Sequence, residues 1–299
     1  MKLGWYLARL RNMSPGEIGH RLFEARRRSA SRGRHEGWVR FSSGPLPAAL
    51  PGLEGAPRTT PEQRAVIADA AAKVVAGRFS ALGQDWPRRA PTDLFPPTLW
   101  RLSPESGKAW PGEEIYCFDI DIRQSVTVGD IKLAWEVNRL QFLQPLAAQA
   151  ALDGGAECKV IEQAIESWYA ANPPYRGIGW ASGIEVALRA ISLMIVLSFC
   201  GEHLSVPTIE RIGAILRASA FWLARFPSRF SSANNHLMAE LCGRYLIAVT
   251  LSDPQSAIAA QAKIERELLK QILPDGVGAE QSPTYAAFTA EMAMLCALV

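Results

Sequence analysis

Cysteine is scarce and odd in number. Cys117, Cys158, Cys200, Cys242 and Cys296 are the only ones in 299 residues, and no CxxC occurs. This pattern implies neither a disulfide framework nor a cysteine-based zinc site. Cys200, Cys242 and Cys296 sit in apolar helical runs and read as small core residues. An excess of one charge is also missing: 32 Lys and Arg against 29 Asp and Glu leave +3, too little to argue for nucleic acid. The N-terminus MKLGWYLARLRNMSPGE has no uninterrupted apolar stretch, so it does not read as a cleavable signal peptide. The longest apolar run, Ala190–Cys200, is broken by Ser192 and Ser198 and is short for a bilayer span, so a soluble protein is expected. Neither GxGxxG nor a P-loop is present, which removes the usual nucleotide-binding signals.

What is present is helix. Apolar residues make up 48% of the chain, ordinary for a globular protein. Residues 1–34 read as one or two arginine-rich helices, carrying Arg9, Arg11, Arg21, Arg26, Arg27, Arg28, Arg32 and Arg34. That run is either a solvated helix face or an arm facing anions or a membrane surface. Ser14-Pro15-Gly16-Glu17 marks a helix start, with Glu17 completing a capping box. Residues 43–60 and 84–112, rich in Pro, Gly and Trp, read as loop around an Ala-rich helix over Pro61–Leu82. Glu114–Ile122 (EIYCFDIDI) alternates like a strand.

From Asp130 onward the pattern predicts helices over 130–151, 156–171, 180–201, 206–225, 232–251, 255–273 and 283–299. Short Pro/Gly breaks between them argue antiparallel hairpins. Strand and helix do not alternate, which argues against an α/β sheet. The expected fold is all-α, an incomplete (α/α) toroid over 126–299 after a helical and loop-rich region at 1–125. The closing run Ala286–Val299 carries no stop signal, so the chain is expected to be part of a longer protein.

The 180–201 helix is apolar nearly all round except Ser182, Glu185, Arg189 and Ser192, which share one narrow face. Glu185 and Arg189 are spaced for an i,i+4 ion pair. Such a stripe faces either a wet cleft or an internally satisfied pair.

Chemistry concentrates in SSANNHLMAE (231–240) and PDGVGAEQSPTY (274–285). Asn235 falls in the first turn of the 232–251 helix, with Ser231 or Ser232 as cap. Its amide can donate to a carboxylate, and free backbone N–H groups at the helix start would add to an anion site. His236 lies about 100° further round the helix and can hold a carboxylate, orient Asn235 or act as a base. Tyr285 follows Ser282-Pro283 at another helix start; a phenol of pKa ~10 needs a cationic neighbour to act as a base. An amide, an imidazole and a phenol together suit removal of a proton beside a carboxylate. Each also has a structural alternative: Asn234 and Asn235 as caps, His236 as a helix residue, Tyr285 as a core tyrosine.

These segments, with DIKLAWEVNRLQFL (130–143) and ESWYAANPPYRGIGWASGIEVALRAIS (166–192), resemble the heparinase II/III family of polysaccharide lyases. MSPGEIGHRLFEARRR (13–28) also looks like the start of bacterial members. The resemblance implies a toroid groove in which Asn235 neutralises a uronate carboxylate, His236 neighbours it and Tyr285 is the acid/base. Asn234, Tyr175, Trp180, Glu185, Arg189 and Glu280 become candidate substrate-binding residues. It further implies an anionic polysaccharide as partner and a periplasmic site of action, with cytoplasmic as the alternative. No metal or other cofactor is expected in this chain; family members follow the toroid with a β-sandwich that carries a further catalytic histidine and, in some, a metal, and no such sequence is present here.

Three functions compete. A lyase would cleave 4-linked uronic acids by β-elimination. A toroid glycoside hydrolase would use two carboxylates, with Asp275, Glu280 or Glu240 as candidates. A non-catalytic protein would bind anionic glycan during surface-polysaccharide assembly, using the arginine-rich start and Trp135, Tyr175 and Trp180.

Overall fold

In the computed structural model of the chain, residues 13–122, 125–230 and 233–299 are described. The arginine-rich helix α1 (Pro15–Ser31) starts where expected, with Ser14 accepting from the Glu17 N–H at 3.2 Å. The capping box is not completed: the Glu17 carboxylate binds Arg21 one turn on instead. Residues 1–12 lie outside the described residues. Several arginines of α1 are docked rather than free. Arg28 lies over Phe118, Arg32 over Tyr116, and Arg27 donates to the Arg225 carbonyl.

Helix α2 (Pro61–Val75) opens with a full capping box between Thr60 and Gln63. It stops short of Leu82, because the chain turns at Gly77 into a hairpin, Ser80–Ala81 (β1) against Gln84–Asp85 (β2). Leu82 and Gly83 both have positive φ, the geometry of a two-residue hairpin turn. The strand expected over 114–122 is replaced by a 3-10 turn at Cys117–Asp119, with Tyr116 bridging to Arg176. Tyr116 and Cys117 are buried one after the other, not in the alternation expected of a half-exposed strand.

The remaining helices are α3 (Ile131–Asn138), α4 (Leu143–Asp153), α5 (Cys158–Ala171), α6 (Gly183–Cys200), α7 (Val206–Arg225), α8 (Asn234–Thr250), α9 (Pro254–Gln271) and α10 (Pro283–Ala297). The expected 130–151 helix is two, because Leu140 adopts a left-handed φ of 56° and breaks it. Helices α4, α6, α8 and α10 pack side by side, and α5, α7 and α9 pair with them as the second helix of each hairpin. The result is the all-α, toroid-like row of antiparallel hairpins. At its centre Gly243 of α8 meets α6 so closely that a Cβ there would touch Ala187 at 3.1 Å.

One continuous core runs from Phe41 and Leu50 through α6 to Ile264 and Met292, crossing the expected boundary near 125. Gly183–His203 is, by length and composition, long and apolar enough to cross a membrane, against the sequence expectation. In this fold 83% of its apolar 18-residue window is buried inside the protein.

Candidate functional site

The site is built where the N-terminus of α8 meets the end of α3 and the loop before α10. Asn138 anchors the end of α3: its amide donates to the carbonyls of Trp100 and Ala134 and accepts from the Trp168 indole. The break at Leu140 then leaves Arg139 as the C-cap of that helix. Its guanidinium forks onto Glu185 of α6 at 2.7 and 3.0 Å and also reaches Glu136 at 2.5 Å. Glu185 is 2% exposed, so this is a buried ion pair with bidentate geometry. Burial raises the Glu136 pKa, with Arg139 opposing and Glu185 adding to the rise.

The stripe on α6 is therefore satisfied internally, but not as its spacing suggests. Glu185 pairs with Arg139, not with Arg189. Arg189 is fully buried, donates to the Gly179 carbonyl at 2.9 Å and lies between the rings of Trp168 and Trp180. Two faces of indole take the place of its missing hydrogen bonds. Ser192 accepts from Gln144 of α4 at 3.2 Å.

The connection from α7 to α8 is held by Glu240, whose carboxylate accepts from the N–H and the hydroxyl of Ser228, both at 2.7 Å. The expected caps Ser231 and Ser232 lie outside the described residues; Ala233 occupies the N-cap and supplies no side-chain bond. Asn235 is buried in the first turn of α8, and its side-chain amide has no hydrogen-bond partner among the described residues. Its backbone N–H is already taken by the Glu280 carboxylate at 2.8 Å, so the helix start carries an internal anion rather than free donors. Glu280 gets there because the chain doubles back after α9. Ala279 donates to the Gln271 carbonyl, and Asp275 accepts from the Val277 N–H across the turn at Gly276.

His236 is exposed as a residue, yet protein crowds its ring. Desolvation lowers its pKa, Arg139 lowers it further, and Glu185 and Glu280 oppose both. A neutral imidazole near pH 7 follows, able to accept a proton. Tyr285 stands on the first turn of α10, half-exposed, five residues beyond Glu280. Its hydroxyl has no partner among the described residues, and no hydrogen bond or ring contact joins it to Asn235 or His236.

The structure thus brings Asn235, His236, Glu185 and Glu280 together, sets Tyr285 at the same end, and leaves Asn234 exposed beside them. It does not bring the aromatics. Trp180 and Tyr175 are core rings with 0% exposure, and the Trp180 indole donates to the Asn172 carbonyl. Trp135 is buried and bonded to the Ile178 carbonyl. None of these, nor Arg189, offers a surface to a sugar. Of the carboxylates weighed for hydrolysis, Glu240 is buried on Ser228 and Asp275 closes its own turn. Arg139 and Glu136 were missed as site residues, although their i,i+3 spacing in KLAWEVNRL was the available signal. Among the described residues no group of three or more His, Cys, Asp or Glu is placed to hold a metal ion.

No family model and no curated protein matches the chain. Among solved structures it is similar to a heparan sulfate lyase HepC mutant from Pedobacter heparinus, at 17% identity and a TM-score of 0.43. The likeness covers 92% of this chain and 38% of that one, so the chain spans well under half of that protein's length.

Glu240 gives a prediction independent of function. Burial pushes its carboxyl up to about 7 from an ordinary 4.5, against the Ser228 bonds and Arg244, with Glu24 adding to the rise. Between those values the folded chain holds a proton that the unfolded chain has lost, so stability falls as pH rises. The loss is about 3 kcal/mol in all. In Glu240→Gln that slope disappears, because the amide still accepts from the Ser228 N–H and never ionises. Urea unfolding at pH 5 and pH 8 should show the variant gaining on wild type at the higher pH; parallel curves would refute a buried, titrating Glu240.

Proposed function

We propose that this chain forms the carboxylate-facing part of a polysaccharide lyase that cleaves 4-linked uronic-acid glycans by β-elimination. The carrying observation is the amide of Asn235, unpartnered among the described residues, beside His236, whose imidazole feels the charges of Glu185, Glu280 and Arg139. A uronate placed there would meet an amide donor on its carboxylate, where charge grows as the C5 proton leaves. His236 or Tyr285 takes that proton, a C4–C5 double bond forms, the C4–oxygen bond breaks, and the leaving oxygen is protonated by Tyr285. The part given to Tyr285 rests on the sequence resemblance and on its place at the start of α10.

The test is near-ultraviolet absorbance during incubation with heparan sulfate, heparin, alginate, hyaluronan and a bacterial exopolysaccharide. The chain is assayed as it stands and within any longer natural polypeptide that contains it. Absorbance from the new double bond, lost in Tyr285→Phe, is the expected result. New reducing ends without absorbance would replace elimination by hydrolysis. Binding with neither would leave a glycan-binding protein.

A further inference from the structure

A cavity of about 680 Å³ lies between α2, the β1–β2 hairpin and the start of α4, outside the cluster around Asn235. Its volume falls in the range of roughly 300–1,000 Å³ typical of small-molecule sites. Phe79, Trp86 and Phe142 form its apolar wall, with Phe79 edge-on to Trp86 at 4.8 Å and to Phe142 at 5.7 Å. Lys73, Arg78 and Arg88 line it as cations.

The charges in this cavity are unevenly matched. Lys73 pairs with Asp69 at 2.6 Å, and Glu136, which also lines the cavity, is held by Arg139. Arg78 and Arg88 have no carboxylate partner among the described residues; Arg88 donates only to the Ala76 carbonyl, at 3.3 Å. Asp85, on the hairpin, is the lining carboxylate left without a cation among the described residues. Trp86 is 4% exposed, and its indole N–H is buried without a partner.

The hairpin that carries these groups is fixed in place. Arg89 donates to the Gly77 carbonyl, and a Cβ at Gly77 would lie 2.0 Å from the Arg89 oxygen, so only glycine permits the approach. A two-stranded hairpin is marginal by itself. Here the packing of Phe79 and Trp86 onto the core secures it and holds Arg78 and Arg88 at its base.

We propose that this cavity binds an acidic sugar unit of a glycan chain. The guanidinium groups of Arg78 and Arg88 take the carboxylate, Asp85 meets hydroxyls, and the aromatic wall takes the C–H face of the ring. Glu136 lines the cavity and also pairs with Arg139 of the candidate centre, which makes the cavity the remote subsite for a chain bound at that centre. That continuity rests on the lyase reading; the acidic-sugar site itself does not.

The test is calorimetric binding of unsulfated 4-linked uronate oligosaccharides, from disaccharide to octasaccharide, to wild type and to Arg78→Ala/Arg88→Ala. Both arginines are exposed, so the fold should survive, and circular dichroism checks it. Longer oligosaccharides should bind wild type about 10-fold or more tighter than the disaccharide, and the double variant should lose that gain. Carboxyl-reduced oligosaccharides should lose it in wild type and lose nothing further in the variant. A length gain that persists in the variant overturns the subsite and leaves the lyase reading intact. Arginine-sensitive binding without elimination product overturns the lyase reading and keeps the site. No binding of any uronate oligosaccharide overturns the site.

Discussion

Asn235→Ala should lower elimination turnover by about 10² to 10³, the usual cost of losing one donor aimed at developing negative charge. The side chain is 8% exposed and its amide has no partner among the described residues, so truncation removes no internal hydrogen bond. Stability should therefore move by less than about 1 kcal/mol, which separates the loss of rate from a loss of fold. Asn235→Asp is the sharper variant. Its volume is nearly unchanged, but it places a carboxylate at a helix start that already holds Glu280 and lies near Glu185. The substrate carboxylate is then repelled, and kcat/KM should fall further than in the alanine variant. Initial rates by absorbance, read beside oligosaccharide affinity, check both. Full activity in Asn235→Ala would remove the amide from the mechanism.

The sequence made the helices legible because their punctuation is chemical. Pro15, Pro61, Pro254 and Pro283 all stand in the first turn of a helix, where a proline costs nothing. It misled where a backbone conformation, not a composition, made the decision. Leu140 in a left-handed φ splits one expected helix, and nothing about leucine announces it. The same break turns Arg139 toward Glu185, a partner that helical spacing could not reveal because it comes from 46 residues away. Trp180 and Tyr175 looked like sugar platforms because aromatic residues serve both cores and binding sites. Burial alone distinguishes the two uses, and it is a property of the fold. The position of Asn235 and His236 at a helix start was readable because adjacent polar groups there need no tertiary knowledge to be placed. The Glu280 contact needed the return loop.

Arg139→Met should destabilise the protein by about 3–5 kcal/mol, the cost of leaving one partner of a buried ion pair alone. Glu185 is 2% exposed and takes both of its side-chain hydrogen bonds from Arg139. Its desolvation is compensated only while the guanidinium is present. Arg139→Met/Glu185→Met should recover most of the loss, because an apolar pair needs no such compensation. Urea unfolding of the two variants reads this directly; a double variant no more stable than the single would show that Arg139 acts mainly through Glu136 or by packing. A second readout concerns the chemistry. Arg139 lowers the His236 pKa while Glu185 raises it. Removing the cation alone removes one effect and unmasks the other, so the imidazole should hold its proton to higher pH. If elimination needs neutral His236, the acid limb of the pH–rate profile shifts upward in Arg139→Met. In the double variant both charges are gone, and because Glu185 has the larger effect the limb should fall back past the wild-type position. A loss of activity with an unmoved limb would mean that Arg139 supports the fold and that His236 does not titrate in the reaction.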